Sequence, residues 1–523
     1  MQFQEYFLPV LFILLVFTVV ENISASESND FNGDNITDLA IGVPSEDLSN
    51  KDTGAVNVIY GTLAGLDSIG YQLWSQDSRN IVDSAEENDH FGSSLSAGDF
   101  NGDNITDLAI GVPSEDSGIR GPSGGVNIIY GSLAGLDASK NQFWSQDNTT
   151  IKDNEEGGDY FGSSLSAGDF NGDNITDLAI GVPSEDLSYD DTGAVNVIYG
   201  SISGLNESRN QLWSQDVPPN IEGWSSPRDH FGSSLSAGDF NGDNITDLAI
   251  GVPYDNFYGQ YGAVNVIYGS ISGLNESRNQ LWSQNSPAIM DDGEIGDHFG
   301  SSLSAGDFNG DNITDLAIGV PSEDLSNKDT GAVNVIYGTL AGLDASKNQL
   351  WTQNSLFGEG SSGKNDHFGS SLSAGDFNGD NITDLAIGVP RLGFHEEGDD
   401  QVDCDVPDTC ESIGDSAVNV IYGTLNGLEV NNSQIWTQDN STIKGNQELG
   451  DYFGSSLSAG DFNGDNITDL AIGVPSEDLS QIIDTGAVNV IYGSISGLNE
   501  SRNQLWSQDI EREMEEGDTF GRL

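Results

Sequence analysis

Seven four-stranded β-blades closed into a ring are the architecture expected of this chain, on three grounds. The string DFNGDNITDLAIGVP recurs verbatim, with its first Asp at 30, 99, 169, 239, 307, 376 and 461. Each unit carries four short apolar segments, and Gly, Asn and Asp punctuate the connections between them. No window sustains the 3.6-residue apolar period of an amphipathic helix. Spacings of 69, 70, 70, 68, 69 and 85 residues mark a supersecondary unit that needs its neighbours to bury its faces.

In the second copy the four segments are FGSSLSAG (91–98), LAIGV (108–112), GVNIIYG (125–131) and NQFWSQ (141–146). Four antiparallel strands per unit, seven units and no helix describe an all-β seven-bladed propeller; a ladder of antiparallel solenoid turns is the alternative. The repeats start near 30, 91, 161, 231, 299, 368 and 453 within a propeller expected over 26–523. The first copy begins at its Asp-rich loop without a preceding FGSSL, and the chain finishes Phe520-Gly521-Arg522-Leu523. Those last residues (520–523) are expected to complete blade one and leave no free sheet edge; a truncated reading frame is the alternative.

Residues 7–20, FLPVLFILLVFTVV, precede the small residues Ser24, Ala25 and Ser26. This reads as a signal peptide over 1–25, cut near Ala25, although MQFQEY before it lacks the usual basic residues. An uncleaved anchor is the alternative. The run is shorter than the ~20 residues a spanning helix needs, and no later segment is apolar enough, so a secreted or cell-surface product without a membrane span after signal removal is expected. Asp+Glu 84 against Lys+Arg 16, a net charge of −68, argues against nucleic acid or anionic membrane as a partner. Hydrophobic residues at 36% fill a core, so the acidity is not a sign of disorder. Two Cys in 523 residues exclude disulfide-rich and zinc-finger classes. Both, Cys404 and Cys410, fall in the enlarged loop behind the 85-residue spacing and are expected to form a short-loop disulfide.

The Asp-rich loop carries the chemistry. In Asp99-Phe100-Asn101-Gly102-Asp103-Asn104-Ile105-Thr106-Asp107, oxygen side chains fall at positions 1, 3, 5 and 9, and position 7 offers a backbone carbonyl. A hard divalent cation wants this set, and Ca²⁺, with loose six- to eight-oxygen coordination, suits it best. Gly102 and Asn104 sit where a chain curling around an ion needs left-handed dihedrals. The loop is no EF-hand, because position 6 is Asn104, position 12 is Ile110, and strands flank it. Up to one Ca²⁺ per repeat is expected, on Asp30, Asn32, Asp34, Ile36 and Asp38; on Asp99, Asn101, Asp103, Ile105 and Asp107; and on Asp169, Asn171, Asp173, Ile175 and Asp177. The later sets are Asp239, Asn241, Asp243, Ile245 and Asp247; Asp307, Asn309, Asp311, Ile313 and Asp315; Asp376, Asn378, Asp380, Ile382 and Asp384; and Asp461, Asn463, Asp465, Ile467 and Asp469. Seven clustered carboxylate sets would repel one another without a cation. Seven Ca²⁺ offset only a small part of the 68 excess negative charges, so most of the acidity is solvated surface.

Taken together, Phe91-Gly92, the DFNGD loop and IGVP in place of the usual GAP resemble FG-GAP repeats. Such repeats build the seven-bladed propeller of integrin α subunits. The resemblance covers about Asp30 to Leu523 and implies a Ca²⁺-binding extracellular propeller used in adhesion or recognition. It extends to the propeller module alone, and no β-subunit partner can be inferred from it. FG-GAP modules also resemble those appended to hydrolases and lipases, but no catalytic domain accompanies this one.

Antiparallel blades put the strand 1–2 and 3–4 loops on one face and the 2–3 and 4–1 loops on the other. The Asp-rich loops share the first face, and the segments that differ between copies share the second, the natural place for recognition on a rigid frame. There Trp224, in a loop with Pro218 and Pro219, meets Tyr254, Phe257, Tyr258 and Tyr261 of the next loop, an aromatic group suited to sugar rings or a protein contact. Local packing is the alternative. The other seven Trp (74, 144, 213, 282, 351, 436 and 506) recur in register and are expected in the core.

Catalysis finds little support. His90, His230, His298 and His367 precede FG where Tyr160 and Tyr452 stand in other copies, and Gly121-Pro122-Ser123-Gly124-Gly125 lacks the strand-to-helix setting of a nucleophile elbow. Asn148, Asn206, Asn275, Asn431, Asn440 and Asn499 head sequons in loops where glycans are expected, whereas the seven sequons inside Asp-rich loops read as coordination geometry. The expected function is that of a secreted, calcium-binding, integrin-α-like propeller that recognises an extracellular or cell-surface protein or glycan and is not an enzyme. A polysaccharide-active enzyme or a structural surface-layer component is the alternative.

Overall fold

The computed structural model describes residues 29–523 apart from 117–120, 149–150, 153–155, 217–220, 256–260, 326, 359–360, 391–415, 441, 449, 480–484, 508–519 and 522. Within them the chain forms seven antiparallel sheets, each ordered in space as in sequence. The second blade runs Ser94–Gly98, Asp107–Val112, Gly125–Tyr130 and Asp137–Trp144, and its first strand lies against the first strand of the third blade, Ser164–Gly168, around the central axis. Both middle strands are buried along their whole length. They are covered on both faces by neighbouring blades, which is why DLAIGV and AVNVIY read as unbroken apolar runs rather than alternating ones. The outer strand is only partly buried and meets solvent.

The core lies between blades, not inside them. Phe100, Val126 and Ile128 of the second blade pack on Leu178, Ile180 and Val182 of the third. Val488, Val490 and Tyr492 of the seventh pack in the same way on Leu39, Ile41 and Val43 of the first. Polar clamps repeat at each seam. The Tyr60 hydroxyl, hydrogen-bonded to Gln72, accepts from the Leu136 amide of the next blade at 3.2 Å, and Gln72 Nε2 donates to the Leu136 carbonyl at 3.0 Å. Tyr492 and Gln504 make the same two bonds to Leu66, closing the ring. A Cβ at Gly135 would lie 2.1 Å from the Tyr60 oxygen, and φ there is +95°, so only glycine lets the clamp seat.

Two regions depart from the regular pattern. Among the described residues blade one shows three strands, Leu39–Val43, Ala55–Tyr60 and Asp67–Trp74. Phe520 does bridge Gly486 as Phe91 bridges Gly54, and the Gly521 carbonyl accepts from Ser456 Oγ as that of Gly162 accepts from Ser94. Phe520 and Gly521 thus take the FG slot against blade seven. One helical turn, Gln353–Phe357, also appears where none was expected. Thr352 and Ser355 form a reciprocal capping box, and Leu356 enters the inter-blade core. Elsewhere the matching loops supply Ile151, Ile221 or Ile443 to that core without a helix.

The recurrent tryptophans sit where expected. Trp144, Trp213, Trp351 and Trp436 are buried, and Trp74, Trp282 and Trp506 are half-buried against the same clusters. Among the described residues no helix is long and apolar enough to cross a membrane.

Candidate functional site

Each Asp-rich loop is folded by its own first carboxylate. Gly33 and Asn35 adopt φ of +71° and +64°, turning the chain so that the amides of Asp34 and Asn35 donate to Asp30 Oδ1 and Oδ2 at 3.0 and 2.7 Å. The Ile36 amide donates to Asp34 Oδ1. Asp38, at position 9, is fully buried. Its Oδ2 accepts from the Phe31 amide and its Oδ1 from the Gly61 amide, both at 2.9 Å. The Asn32 amide nitrogen also turns toward Asp38, which leaves the Asn32 amide oxygen as that side chain's ligand atom. The same bonds recur in the other six copies, for example at Asp307, Asp311 and Asp315.

The seven loops join edge to edge. The carbonyl of Asp30 accepts from the Thr106 amide of the next blade at 3.1 Å, and that of Asp461 accepts from Thr37 at 3.0 Å across the closing seam. Gly33 faces Ile105 and Gly464 faces Ile36, each so close that a Cβ would lie 3.5 and 3.2 Å away.

Electrostatics fits a cation here. Burial raises Asp38 from 3.8 to about 8, and the charges of Asp30 and Asp34 add to the rise. Asp107, Asp177, Asp247, Asp315, Asp384 and Asp469 are raised alike. A buried carboxylate facing two others, with only oxygen ligands around it, suits a hard divalent ion and offers a soft metal nothing.

The opposite face holds carboxylates that sequence reasoning missed. Glu294, Asp297 and Glu323 bring carboxylate oxygens within 4.8 Å of one another, as do Asp83, Glu86 and Glu115; Glu156, Asp159 and Glu185; and Glu448, Asp451 and Glu477. Each set lies at a seam, where a glutamine of the preceding blade reaches its innermost Glu: Gln76 to Glu115, Gln146 to Glu185, Gln284 to Glu323 and Gln438 to Glu477. Burial, reinforced by acidic neighbours, raises Glu115 and Glu323 to about 9 and Asp89 and Asp297 to about 7. For three of the four sets the signal was present as Glu-x-x-Asp-(His/Tyr)-Phe-Gly followed by the Glu of GVPSE, while the first set takes Asp83 from outside that string.

The aromatic candidates separate. Trp224 is 70% exposed. Tyr254 is 45% exposed and held edge-on between His230 and His298, with ring centroids 5.3 and 4.6 Å away. Tyr261 is half-buried. Phe257 and Tyr258 lie outside the described residues, as do Cys404 and Cys410 and the 1–25 segment. The residue before FG takes a left-handed backbone, φ +55° at His230 and +58° at Tyr160. His230 and His367 Nδ1 pair with the carbonyls of Pro183 and Pro321, each at 3.0 Å, which is a loop-closing role. Gly121–Gly125 leads into a strand, and Ser123 is buried there. Asn206, Asn275 and Asn499 open outer strands, and Asn431 lies within one, where loops were expected.

The FG-GAP repeat profile matches residues 28–59, 91–130, 161–198, 231–267, 299–336, 368–402 and 453–491. Integrin alpha-PS2 of Drosophila melanogaster is 31% identical over 259 residues, covering 48% of this chain and 17% of its own length. Integrin alpha-5 of Xenopus laevis is 32% identical over 239 residues, 44% of this chain and 20% of its own. Phosphatidylinositol-glycan-specific phospholipase D of Bos taurus is 33% identical over 180 residues, 34% of this chain and 20% of its own. The chain thus spans about a fifth of the length of these relatives.

Proposed function

The chain belongs to the FG-GAP repeat proteins, and from that premise we propose that it is a secreted, calcium-stabilised propeller that recognises an extracellular or cell-surface protein or glycan. The observation that carries the proposal is the division of labour between its faces. Seven identical oxygen-rich loops are linked into one ring on the first face, while the second varies between blades and presents exposed Trp224 and Tyr254. The loops would hold Ca²⁺ on the side-chain oxygens at positions 1, 3, 5 and 9 and on the carbonyl at position 7, and so keep the frame rigid. Rigid loops bind without the entropy cost of ordering on contact.

Retention of the full chain on arrays of glycans and matrix proteins, with calcium and with chelator, tests the reading. Calcium-dependent retention weakened by Trp224→Ala is the expected result. Cleavage of a retained polysaccharide or a glycan-linked lipid would replace recognition by catalysis. Calcium-driven self-association without ligand retention would make the protein a structural surface component.

A further inference from the structure

The seam between blades four and five carries carboxylates that the Asp-rich loops do not use. Glu294 and Asp297 come from the loop entering blade five, and Glu323 from the GVPSE turn of the same blade. Asp297 and Glu323 are fully buried, whereas Glu294 is exposed and opens the group to solvent. Asp297 Oδ2 accepts the Glu294 amide, which folds the loop back on itself and brings both carboxylates to one place. Glu323 Oε2 is taken by Gln284.

The second, independent observation concerns the atoms left over. Glu323 Oε1 is buried with no hydrogen-bond partner among the described residues, and so is Gln284 Oε1. A buried acceptor without a donor costs the full desolvation of that atom, and here the atom belongs to a carboxylate packed against two others. Neither basic side chain in an ion pair among the described residues, Lys51 or Lys328, pairs with these carboxylates. The seam between blades one and two repeats the feature, with Asp89 Oδ1 and Gln76 Oε1 buried and unpartnered beside Asp83, Glu86 and Glu115.

We propose that these seams are a second class of divalent-cation site, in which Glu294, Asp297, Glu323 and the Gln284 amide oxygen hold one Ca²⁺ that staples blade four to blade five. The geometry differs in kind from the Asp-rich loop. There all ligands come from nine consecutive residues, so the ion orders a loop. Here they come from two blades and three segments, so the ion joins blades. An oxygen-only set with three carboxylates selects a hard cation, and one dication in the group would offset most of the repulsion among them.

The test counts ions on the full chain. Equilibrium dialysis against Ca²⁺ with elemental analysis is expected to find more than the seven ions that one per Asp-rich loop would give. The triple variant Glu294→Gln/Asp297→Asn/Glu323→Gln keeps the size of each side chain and should lose one bound ion per chain. Asp307→Asn/Asp311→Asn, in a loop on the other face, should lose a different one. Tb³⁺ luminescence excited through tryptophan gives a second readout, because Trp282 stands two residues before Gln284; the triple variant should lower it and the loop variant should not. A folded triple variant with unchanged ion count and unchanged Tb³⁺ emission would overturn the inference. Loss of an ion from the seam variant but not from the loop variant would leave this inference standing and remove calcium from the Asp-rich loops.

Discussion

The seams before and after blade four are assembled from the same slots and do different things. After blade four, Glu294, Asp297 and Glu323 converge with Gln284. Before it, Ser226 stands in place of the Glu, and the GVPSE turn reads GVPYD, putting Tyr254 and Asp255 where five of the other six blades have Ser and Glu. Asp229 keeps its turn-closing bond to the Ser226 amide, so the backbone is unchanged. Gln215 Nε2 donates to Asn265 Oδ1 at 3.0 Å and reaches the shorter acid, Asp255 Oδ2, at 3.4 Å, and Tyr254 wedges between His230 and His298. The lesson is that the seam is a fixed socket whose chemistry is set by two or three side chains: acidic where it is read here as an ion site, aromatic where it is read as a binding patch.

The largest effect separates the faces as wholes. If each Asp-rich loop binds Ca²⁺ at ~10⁻⁴ M, then at ~10⁻³ M calcium each adds about 1.4 kcal/mol and seven add about 10 kcal/mol, as much as the net stability of a domain. Thermal melts should drop steeply in chelator, and coincident melts would refute structural calcium. Next in size is Asp315→Ala, which strands the Phe308 and Gly338 amides and should cost about 3 kcal/mol in denaturant titration. Asp311→Ala, at an exposed position, should cost about 1 kcal/mol or less without calcium. Equal losses would deny position 9 its structural role.

pH gives a third contrast. Asp315, raised from 3.8 to about 8, and Glu323, raised from 4.5 to about 9, bind protons more tightly folded than unfolded. In chelator their contribution is therefore present below pH ~4 and is lost as pH climbs toward ~9. Glu323→Gln should flatten part of that slope, and saturating calcium should remove most of it. A metal-free chain whose stability rises over this range would contradict the assignment. The smallest expected effect is on folding by Trp224→Ala, within about 0.5 kcal/mol because the ring is exposed; the same variant should weaken ligand retention tenfold or more if the aromatic seam is the contact.

The blades and the Asp-rich loops were legible because their residues are contiguous: nine positions hold a whole loop, and verbatim repetition gives the period. The seam groups were not, because Gln76, Glu86 and Glu115 come from two blades and only the curvature of the ring brings them together. Against 84 acidic residues such a triplet does not stand out in one dimension. The helical turn at Gln353 was missed because its cap is a local bargain between Thr352 and Ser355 that no periodicity reveals.

Near-identity of the blades also bears on how the ring assembles. Phe520 docks on Gly486 through the contact that Phe91 makes with Gly54, Phe161 with Gly124 and Phe231 with Gly193. To a nascent chain these docking edges are interchangeable, so local contacts alone cannot tell the proper neighbour from one two blades away, or from a blade of another molecule. What discriminates is the length of chain to be looped out, since shorter closures are entropically cheaper. The order of the blades is thus kept by connectivity, and a ring of such uniform parts trades the specificity of its seams for the simplicity of one repeated joint.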